Sequence, residues 1–234
     1  MPANLIASGF HTFHKVDDIF VAHVDLSPHE KREKYAFSWL DKQEQDRWAR
    51  YRYDRPKREF VLCRATLRYL LCSTLGFENK NLSFDTLEHG KPFGLVNGKL
   101  APVSFNVSHS GKHGLIAIGP KGMLGIDVEE RAARVNFDLM IRTVYGPNEQ
   151  ADFELLGESD RRRLFFKLWT LKESLIKALG TGFSLDPARF EIPRSIRHDA
   201  KTEYFRFAHL PNTIWKLENL ENDNFAAALA YEQI

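Results

Sequence analysis

The stretch LIAIGPKGMLGIDVE, residues 115–129, decides how this chain divides. Its start at 115–118 is apolar and predicts a buried strand, and a second apolar run at 124–128 predicts another. The Gly-Pro-Lys-Gly segment at 119–122 separates the two strands, because glycine and proline favour turns. We therefore expect a boundary between two halves of the chain near 119–123.

Both halves combine one long helix with several short strands. Apolar residues at helical spacing predict long helices at 55–75 and 159–179, and Gly76 is suited to end the first. This is an α+β pattern, with 1–119 and 120–234 as two similar subdomains. No sequence repeat of fixed period joins the halves, so an internal duplication is only an architectural hypothesis.

Local patterns predict the remaining elements. A polar helix is expected over 28–50 with Ser27 as its N-cap, and Ser159 is suited to cap the long helix of the second half. The other predicted helices are 136–145 and 147–156. The predicted strands are 19–25, 82–87, 103–107, 115–118, 124–128, 190–192, 203–210, 213–218 and 225–231.

Composition excludes several classes of protein. With 43% hydrophobic residues the chain has material for packed cores, and a formal net charge of +2 gives no strong attraction to nucleic acid. Cys63 and Cys72 make no disulfide framework. The first residues, MPANLIASGF, lack the pattern of a signal peptide, and no apolar run approaches the ~20 residues that span a bilayer. We expect a cytoplasmic protein that binds neither nucleic acid nor membrane.

Positive charge is concentrated in one segment. This local excess suits a phosphate-rich ligand, although a solvated helix face would have the same pattern. The basic residues of the segment are Arg47, Arg50, Arg52, Arg55, Lys57, Arg58, Arg64 and Arg68.

Two acidic residues end the strand that opens the second half. Side chains two apart on a strand point to the same face, so Asp127 and Glu129 project together while Ile126 and Val128 point into the core. Adjacent carboxylates repel unless a cation or a shared proton relieves them, and Mg²⁺ prefers carboxylate and phosphate oxygens. The pair indicates a metal site, or else an exposed strand end with acidic residues by chance.

The long helix of the second half carries a third carboxylate. Trp169, Glu173 and Lys177 are four residues apart and share one helix face, which Lys172 borders. A glutamate between two lysines is typical of a place where a carboxylate meets phosphate oxygens. An ordinary surface ion pair between Glu173 and Lys177 would have the same spacing.

Two short polar segments of the first half also suit phosphate binding. A predicted strand runs into Ser108-His109-Ser110-Gly111, where hydroxyl groups, an imidazole and a glycine can surround an anion. Gly90-Lys91-Pro92 is a turn that carries a cation. No P-loop, G-x-G-x-x-G or zinc-spaced Cys/His cluster is present in the sequence.

Four motifs follow one another along the chain: GKP, FNVSHS, GIDVE and FFKLWTLKESLIKALGTG. This ordered set resembles the motifs of the Sfp-type 4′-phosphopantetheinyl transferases, and the resemblance covers roughly residues 55–190. That family transfers the 4′-phosphopantetheine arm of coenzyme A to a serine hydroxyl of an apo acyl or peptidyl carrier protein. The other product is adenosine 3′,5′-bisphosphate. The resemblance implies two α+β subdomains related by a pseudo-twofold axis, with coenzyme A in the cleft between them.

The resemblance also implies roles for individual residues. In the second half it implies Mg²⁺ on Asp127, Glu129 and Glu173, with Glu173 as general base and Lys177 as a further catalytic residue. Lys172 is expected near the pyrophosphate. The residues implied to bind coenzyme A in the first half are Lys91 and Pro92 beside adenine, Ser108 and His109 on phosphate, and Arg58 with Arg47 or Arg50 on the 3′-phosphate. Gln43 and Glu44 stand where the family usually has Lys or Arg.

Two other functions use the same residues. A Mg²⁺-dependent hydrolase of pyrophosphates would need no carrier protein, and a non-catalytic module would bind coenzyme A or a carrier without turnover. The family resemblance favours a monomer. An acidic carrier protein would be attracted by basic surface, for which 47–58 and the triplet Arg161, Arg162 and Arg163 are the candidates.

Overall fold

The computed structural model describes residues 5–131 and 137–233. The chain divides into two compact units, Met1–Lys121 and Gly122–Ile234. The sequence predicts the boundary two residues earlier, inside the same Gly-Pro-Lys-Gly segment.

The first unit packs a long helix against an antiparallel sheet. Its four-stranded sheet has the order β1-β2-β7-β6, and a smaller three-stranded sheet has the order β3-β4-β5. The helices are α1 (Glu30–Phe37), α2 (Lys42–Arg50) and α3 (Asp54–Leu75), and the strands are β1 (Phe10–Val16), β2 (Ile19–Asp25), β3 (Leu82–Thr86), β4 (Pro92–Val96), β5 (Lys99–Leu100), β6 (Val103–Ser110) and β7 (His113–Pro120).

Local chemistry explains where these helices begin and end. Gly76 has a φ of 72° at the end of α3, which confirms the predicted left-handed cap. The prediction of one helix over 28–50 with Ser27 as N-cap is wrong. The His29 side chain caps α1, and Asp41 caps α2 in a capping box with Glu44, so the chain has two short helices there.

The second unit has the same kind of architecture. Its four-stranded antiparallel sheet has the order β8-β11-β10-β9. The helices are α4 (Phe137–Val144), α5 (Pro147–Glu154), α6 (Glu158–Leu179) and α7 (Arg194–His198), and the strands are β8 (Leu124–Glu130), β9 (Thr202–Phe205), β10 (Trp215–Asn219) and β11 (Phe225–Glu232).

Some predictions for this unit are wrong. Residues 190–192 form no strand, because Phe190 packs with Phe205 and Phe207 at ring distances of 5.9 and 5.1 Å as part of a compact aromatic core. The strand predicted at 203–210 is the shorter β9. The N-cap of α6 is Gly157 and not Ser159.

The α+β class is confirmed. Each unit joins a four-stranded antiparallel sheet to one helix of 22 residues, so the two subdomains are similar in make-up. Within the described residues, none of the helices has the length and apolar character needed to cross a membrane.

Candidate active site

A close contact between α6 and β8 positions the acidic residues of the second unit. A Cβ atom added to Gly125 would lie 2.0 Å from the backbone oxygen of Ser174 and 2.5 Å from the backbone nitrogen of Ala178. These are backbone atoms that cannot turn away, so only glycine fits under the helix. The glycine of the GIDVE motif therefore lets the α6 backbone lie directly on the strand.

Asp127 and Glu129 project from the strand toward this helix. In the antiparallel register they lie opposite Ala228 and Ala226, whose side chains belong to the core under α6. Paired residues point to the same face of a sheet, so both carboxylates lie on the α6 side. The predicted shared face is confirmed. Val128, between them, is buried on the opposite face of the strand, and the core under α6 lies on the side of the carboxylates, which the sequence did not predict.

The predicted face of α6 is also confirmed. Trp169, Glu173 and Lys177 are only partly buried, while the helix residues around them are buried. The Lys177 ammonium nitrogen lies 2.5 Å from Oδ1 of Asp127, which is 3% exposed. Lys177 thus pairs with the strand carboxylate, and not only with the glutamate four residues earlier on its own helix.

The carboxylates of Asp127 and Glu129 lie close enough to Glu173 to change its pKa. Burial, together with the negative charges of Asp127 and Glu129, raises the pKa of Glu173 from 4.5 to about 7, although the Lys177 ammonium lowers it. Asp127, Glu129, Glu173 and Lys177 therefore form one electrostatic group, in which the net charge is negative when all three carboxylates are ionised.

The chemistry of this group suits a divalent cation. Three carboxylates supply the hard oxygen ligands that Mg²⁺ prefers, and a cation would relieve the repulsion that raises the Glu173 pKa. In the described part of the chain, however, no three His, Cys, Asp or Glu side chains are already gathered around one point that could hold a metal ion. In this conformation the Lys177 ammonium is the counter-ion of Asp127.

Lys172 does not lie at this group. Its side chain is 1% exposed and its ammonium nitrogen is 2.8 Å from Oε2 of Glu149, a carboxylate that is itself fully buried. It also donates to the carbonyl oxygens of Pro187 and Phe190, at 2.7 and 2.6 Å. The Lys172 ammonium thus has three partners inside the second unit. The expectation that Lys172 lies near the pyrophosphate is therefore corrected. Lys172 instead connects α6 to α5 and to the 187–190 segment.

A cavity in the first unit gathers several predicted ligand-binding residues. It has a volume of about 160 Å³. Arg47, Pro92 and His109 line it, as the sequence suggested for a phosphorylated ligand, together with apolar and aromatic side chains. The full lining is Arg47, Tyr51, Phe60, Cys63, Arg64, Leu67, Pro92, Val107 and His109.

The other predicted residues of this unit do not line that cavity. Ser108 is buried on the opposite face of β6 from His109. Arg58 donates from Nε to the backbone oxygen of Leu26 at 3.0 Å. Burial lowers the pKa of Lys91 from 10.5 to about 8, so this lysine is partly desolvated.

Arg64 is the cavity residue that the motifs did not single out. It is nearly buried within the apolar stripe of α3, and the carboxylate of Glu44 lies 3.4 Å from its Nε. Glu44 is buried too, and its second oxygen accepts from Arg68 at 2.6 Å. The signal in the sequence was an arginine inside an apolar stripe. Glu44 is the partner of both Arg64 and Arg68.

The three arginines proposed for carrier binding all make contacts inside the second unit. Arg161 pairs with Asp138 at 2.7 Å, and Arg163 pairs with Glu221 at 3.2 Å. The Arg162 guanidinium donates to the backbone oxygen of Arg131. The triplet therefore helps to anchor the start of α6.

Comparisons with known proteins agree with the motif order. A family model for the 4′-phosphopantetheinyl transferase superfamily matches residues 123–230, and one for the N-terminal part of 4′-phosphopantetheinyl transferases matches residues 25–121. HetI, a 4′-phosphopantetheinyl transferase of Nostoc sp. PCC 7120, is 27% identical over 217 residues, which cover 92% of this chain and 87% of HetI.

Two further relatives have the same activity in their names. The 4′-phosphopantetheinyl transferase Sfp of Bacillus subtilis strain 168 is 24% identical over 70% of each chain. The Synechocystis protein slr0495, provisionally named as such a transferase, is 34% identical over 62% of this chain, and that match spans 58% of slr0495. Both family models, matched one after the other along nearly the whole sequence, describe the same enzyme. The chain therefore belongs to the 4′-phosphopantetheinyl transferase superfamily.

Proposed function

We propose that this protein transfers the 4′-phosphopantetheine group of coenzyme A to a serine hydroxyl of an apo carrier protein. The observation that carries the proposal is the group formed by Asp127, Glu129, Glu173 and Lys177, which the glycine contact between α6 and β8 holds together. The membership of the chain in the transferase superfamily supports the same reaction.

In this proposal Asp127, Glu129 and Glu173 would hold Mg²⁺, which, when bound, would neutralise charge on the pyrophosphate oxygens of coenzyme A. Only Oδ1 of Asp127 contacts the Lys177 ammonium in this conformation, so the ion and the lysine would share this carboxylate. Lys177 would thus lie beside the metal ligands, where its remaining donors could reach phosphate oxygens of the leaving group.

Glu173 is the proposed general base. Without a cation the pKa of Glu173 is about 7; bound Mg²⁺ would lower this pKa, so the carboxylate would be ionised and able to accept a proton near neutral pH. The serine oxygen attacks the phosphorus that bears the pantetheine arm, and its proton passes to Glu173. The bond from this phosphorus to the bridging oxygen breaks, and adenosine 3′,5′-bisphosphate leaves. Lys177 donates a hydrogen bond to this leaving group as negative charge develops on it.

For the first unit we propose that the cavity receives part of the adenosine 3′-phosphate end of coenzyme A. Arg47 supplies positive charge and His109 an imidazole at its wall, and Pro92 supplies an apolar surface. Lys91, Ser108 and Arg58 keep their proposed roles near adenine and phosphate. Lys172 has no role in the proposal, because its donors are used in the core.

The partner is proposed to be an acidic acyl or peptidyl carrier protein. Arg47, Arg50, Arg52 and Arg55 are exposed, so the segment 47–58 offers positive surface that would increase the rate of encounter with such a carrier.

A single assay tests the function. The protein is mixed with coenzyme A, Mg²⁺ and an apo carrier protein, and the intact carrier is weighed by mass spectrometry. We expect one phosphopantetheine to be added per carrier, at its serine. Cleavage of coenzyme A with an unchanged carrier would identify a hydrolase, and binding without either reaction would identify a non-catalytic module.

A further inference from the structure

The second unit has a groove that takes no part in the proposed reaction. Its volume is about 800 Å³, within the ~300–1,000 Å³ range of pockets that hold small molecules. The first half of α6 forms its base, and α5, α7 and the connection between β10 and β11 form its walls. The groove residues of α6 follow a helical stripe on another side of the helix from Glu173, and these are Asp160, Arg163, Leu164 and Lys167.

Lys167 is a buried lysine in the floor of this groove. It is 6% exposed, and its ammonium donates to the carbonyl oxygens of Arg197 at 3.2 Å and His198 at 2.8 Å. An ammonium has three donors, so one is left over. Burial lowers the pKa of Lys167, although the nearby charges of Glu221 and Asp199 act in the opposite direction. The ammonium is therefore desolvated and can accept a further partner.

Arg197 is a second buried cation of the groove. Its side chain is 7% exposed, and its Nη1 lies 2.9 Å from Oδ2 of Asp152. This contact is not aligned as a hydrogen bond, because Nε and Nη1 have no hydrogen-bond acceptor among residues 5–131 and 137–233. Buried guanidinium donors without an acceptor are costly. We therefore expect an acceptor oxygen of a ligand beside them.

The floor of the groove has one net positive charge at neutral pH. Lys167 and Arg197 are cations, and Asp152 neutralises one of them. Glu221, which also lines the groove, is already paired with two arginines. A carboxylate is a single negative charge with two acceptor oxygens, so it matches both the charge and the donors of this floor.

The rim of the groove disfavours ligands with several negative charges. Three of its exposed side chains are acidic and one is a lysine, so phosphate-rich molecules would be repelled. These four residues are Asp160, Asp199, Asp223 and Lys201. Leu155 and Leu156 lie at the same rim and are 86% and 36% exposed. Exposed leucines beside a groove suit a ligand with an apolar body.

We propose that this groove binds a ligand that has one carboxylate group on an apolar body. The carboxylate contacts Lys167 and Arg197, and the body lies along Leu155 and Leu156. A short peptide with a free carboxyl end and a fatty acid share this chemistry. The site uses neither coenzyme A nor Mg²⁺ nor a carrier protein, so it does not depend on the proposed function.

Binding is measured by NMR titration of the ¹⁵N-labelled full chain without coenzyme A. The probes are hexanoate and N-acetyl-leucyl-leucine, each compared with its own amide, and inorganic phosphate. We expect at least one carboxylate to bind at least tenfold more tightly than its amide, with the largest shifts in α7 and the first half of α6. The tighter of the two carboxylates identifies a fatty acid or a peptide as the source. Binding of neither carboxylate up to about 10 mM, or equal binding of phosphate, overturns the proposal.

Substitutions in the floor should remove the preference for a carboxylate over its amide. We expect Arg197→Gln and Lys167→Gln each to lower this preference at least tenfold. Arg194→Gln, which removes an exposed arginine of the same helix α7, should keep the wild-type preference.

A double variant guards against misfolding of the single ones. Asp152→Asn/Arg197→Gln removes both charges of the ion pair and leaves no buried charge alone. It should lose the preference at an unchanged circular dichroism spectrum. A folded variant of Arg197 that still prefers the carboxylate overturns the site. Transfer of phosphopantetheine is not a readout here, so failure of this test leaves the proposed reaction untouched.

Discussion

The ammonium of Lys177 lies 2.5 Å from Oδ1 of Asp127 and joins helix α6 to strand β8. This contact places a cation among three carboxylates, where it lowers the pKa of Glu173 while Asp127 and Glu129 raise it. The protonation of Glu173 is thus set by its neighbours on both elements, and each neighbour can be removed separately.

Substituting these neighbours should shift the Glu173 pKa in opposite directions. We expect Asp127→Asn to lower it below about 7, since a negative charge is removed, and Lys177→Met to raise it, since the opposing cation is lost. The measurement is a pH titration of ¹³C-labelled glutamate carboxyl groups by NMR without metal, with Glu173→Gln to assign the signal. If the pKa of Glu173 shifted in the same direction in both variants, the charges of Asp127 and Lys177 would not be what controls it.

Replacing Glu173 by glutamine should separate binding from chemistry. The amide keeps the size of the side chain but cannot accept the serine proton, so turnover should fall by about 10²–10⁴-fold, the usual contribution of a general base. Coenzyme A should still bind, as measured by calorimetry. Glu158→Gln, an exposed glutamate at the start of the same helix, is the matched control. Near-normal turnover by Glu173→Gln would exclude Glu173 as the base.

Stability should depend on pH and Mg²⁺ together. The pKa of Glu173 is raised from 4.5 to about 7, so the folded protein holds a proton that the unfolded chain has lost between these values. The corresponding stabilisation is complete below pH 4.5 and is lost as pH rises through 7. Mg²⁺ should therefore raise Tm more at pH 8 than at pH 5.5, and this difference should vanish in Glu173→Gln. Equal Tm shifts at both values would argue against metal binding at this group.

Much of the second unit could be predicted because its signals are local. The D-x-E pair needed only the two-residue period of a strand, and the face of Trp169, Glu173 and Lys177 needed only the helical period. The order of the family motifs then indicated that the strand and the helix contribute residues to one site. The close contact at Gly125 depends on how α6 packs on β8, and the periodicity of the sequence does not predict that packing.

The residues that sequence reasoning misjudged depend on distant partners. Lys172 directly precedes Glu173 and borders the partly exposed stripe of Trp169, Glu173 and Lys177, yet its side chain is buried, because its partner Glu149 lies on another helix in the core. Arg64 depends on Glu44 in the same way. Strands β1 and β4 were missed because β1 has no fully buried residue and β4 begins at Pro92, within a sequence typical of a turn.

Adding a methyl group at Gly125 should disrupt the second unit. The new Cβ would lie 2.0 Å from a backbone oxygen of α6, so helix and strand must separate, and we expect a loss of at least about 3 kcal/mol in unfolding free energy along with turnover. Gly94→Ala is the control, because the nearest atoms to its Cβ lie 3.5 Å away. Urea unfolding of both variants makes the comparison. A Gly125→Ala protein as stable as Gly94→Ala would contradict the close approach.

Removing the Lys172 ammonium should lower the free energy of unfolding but leave turnover per folded molecule almost unchanged. Lys172→Met leaves the buried Glu149 carboxylate without its cation, which typically costs about 3–5 kcal/mol, although Glu149 keeps the backbone N–H groups of Gly146 and Ile192. Adding Glu149→Gln should recover part of the loss in urea unfolding, whereas Lys201→Met on the surface should change little. Turnover per folded molecule should stay within about threefold of the wild type, since the residue holds the fold rather than the substrate. A Lys172→Met protein that has normal stability but no turnover would instead support a contact between Lys172 and the pyrophosphate.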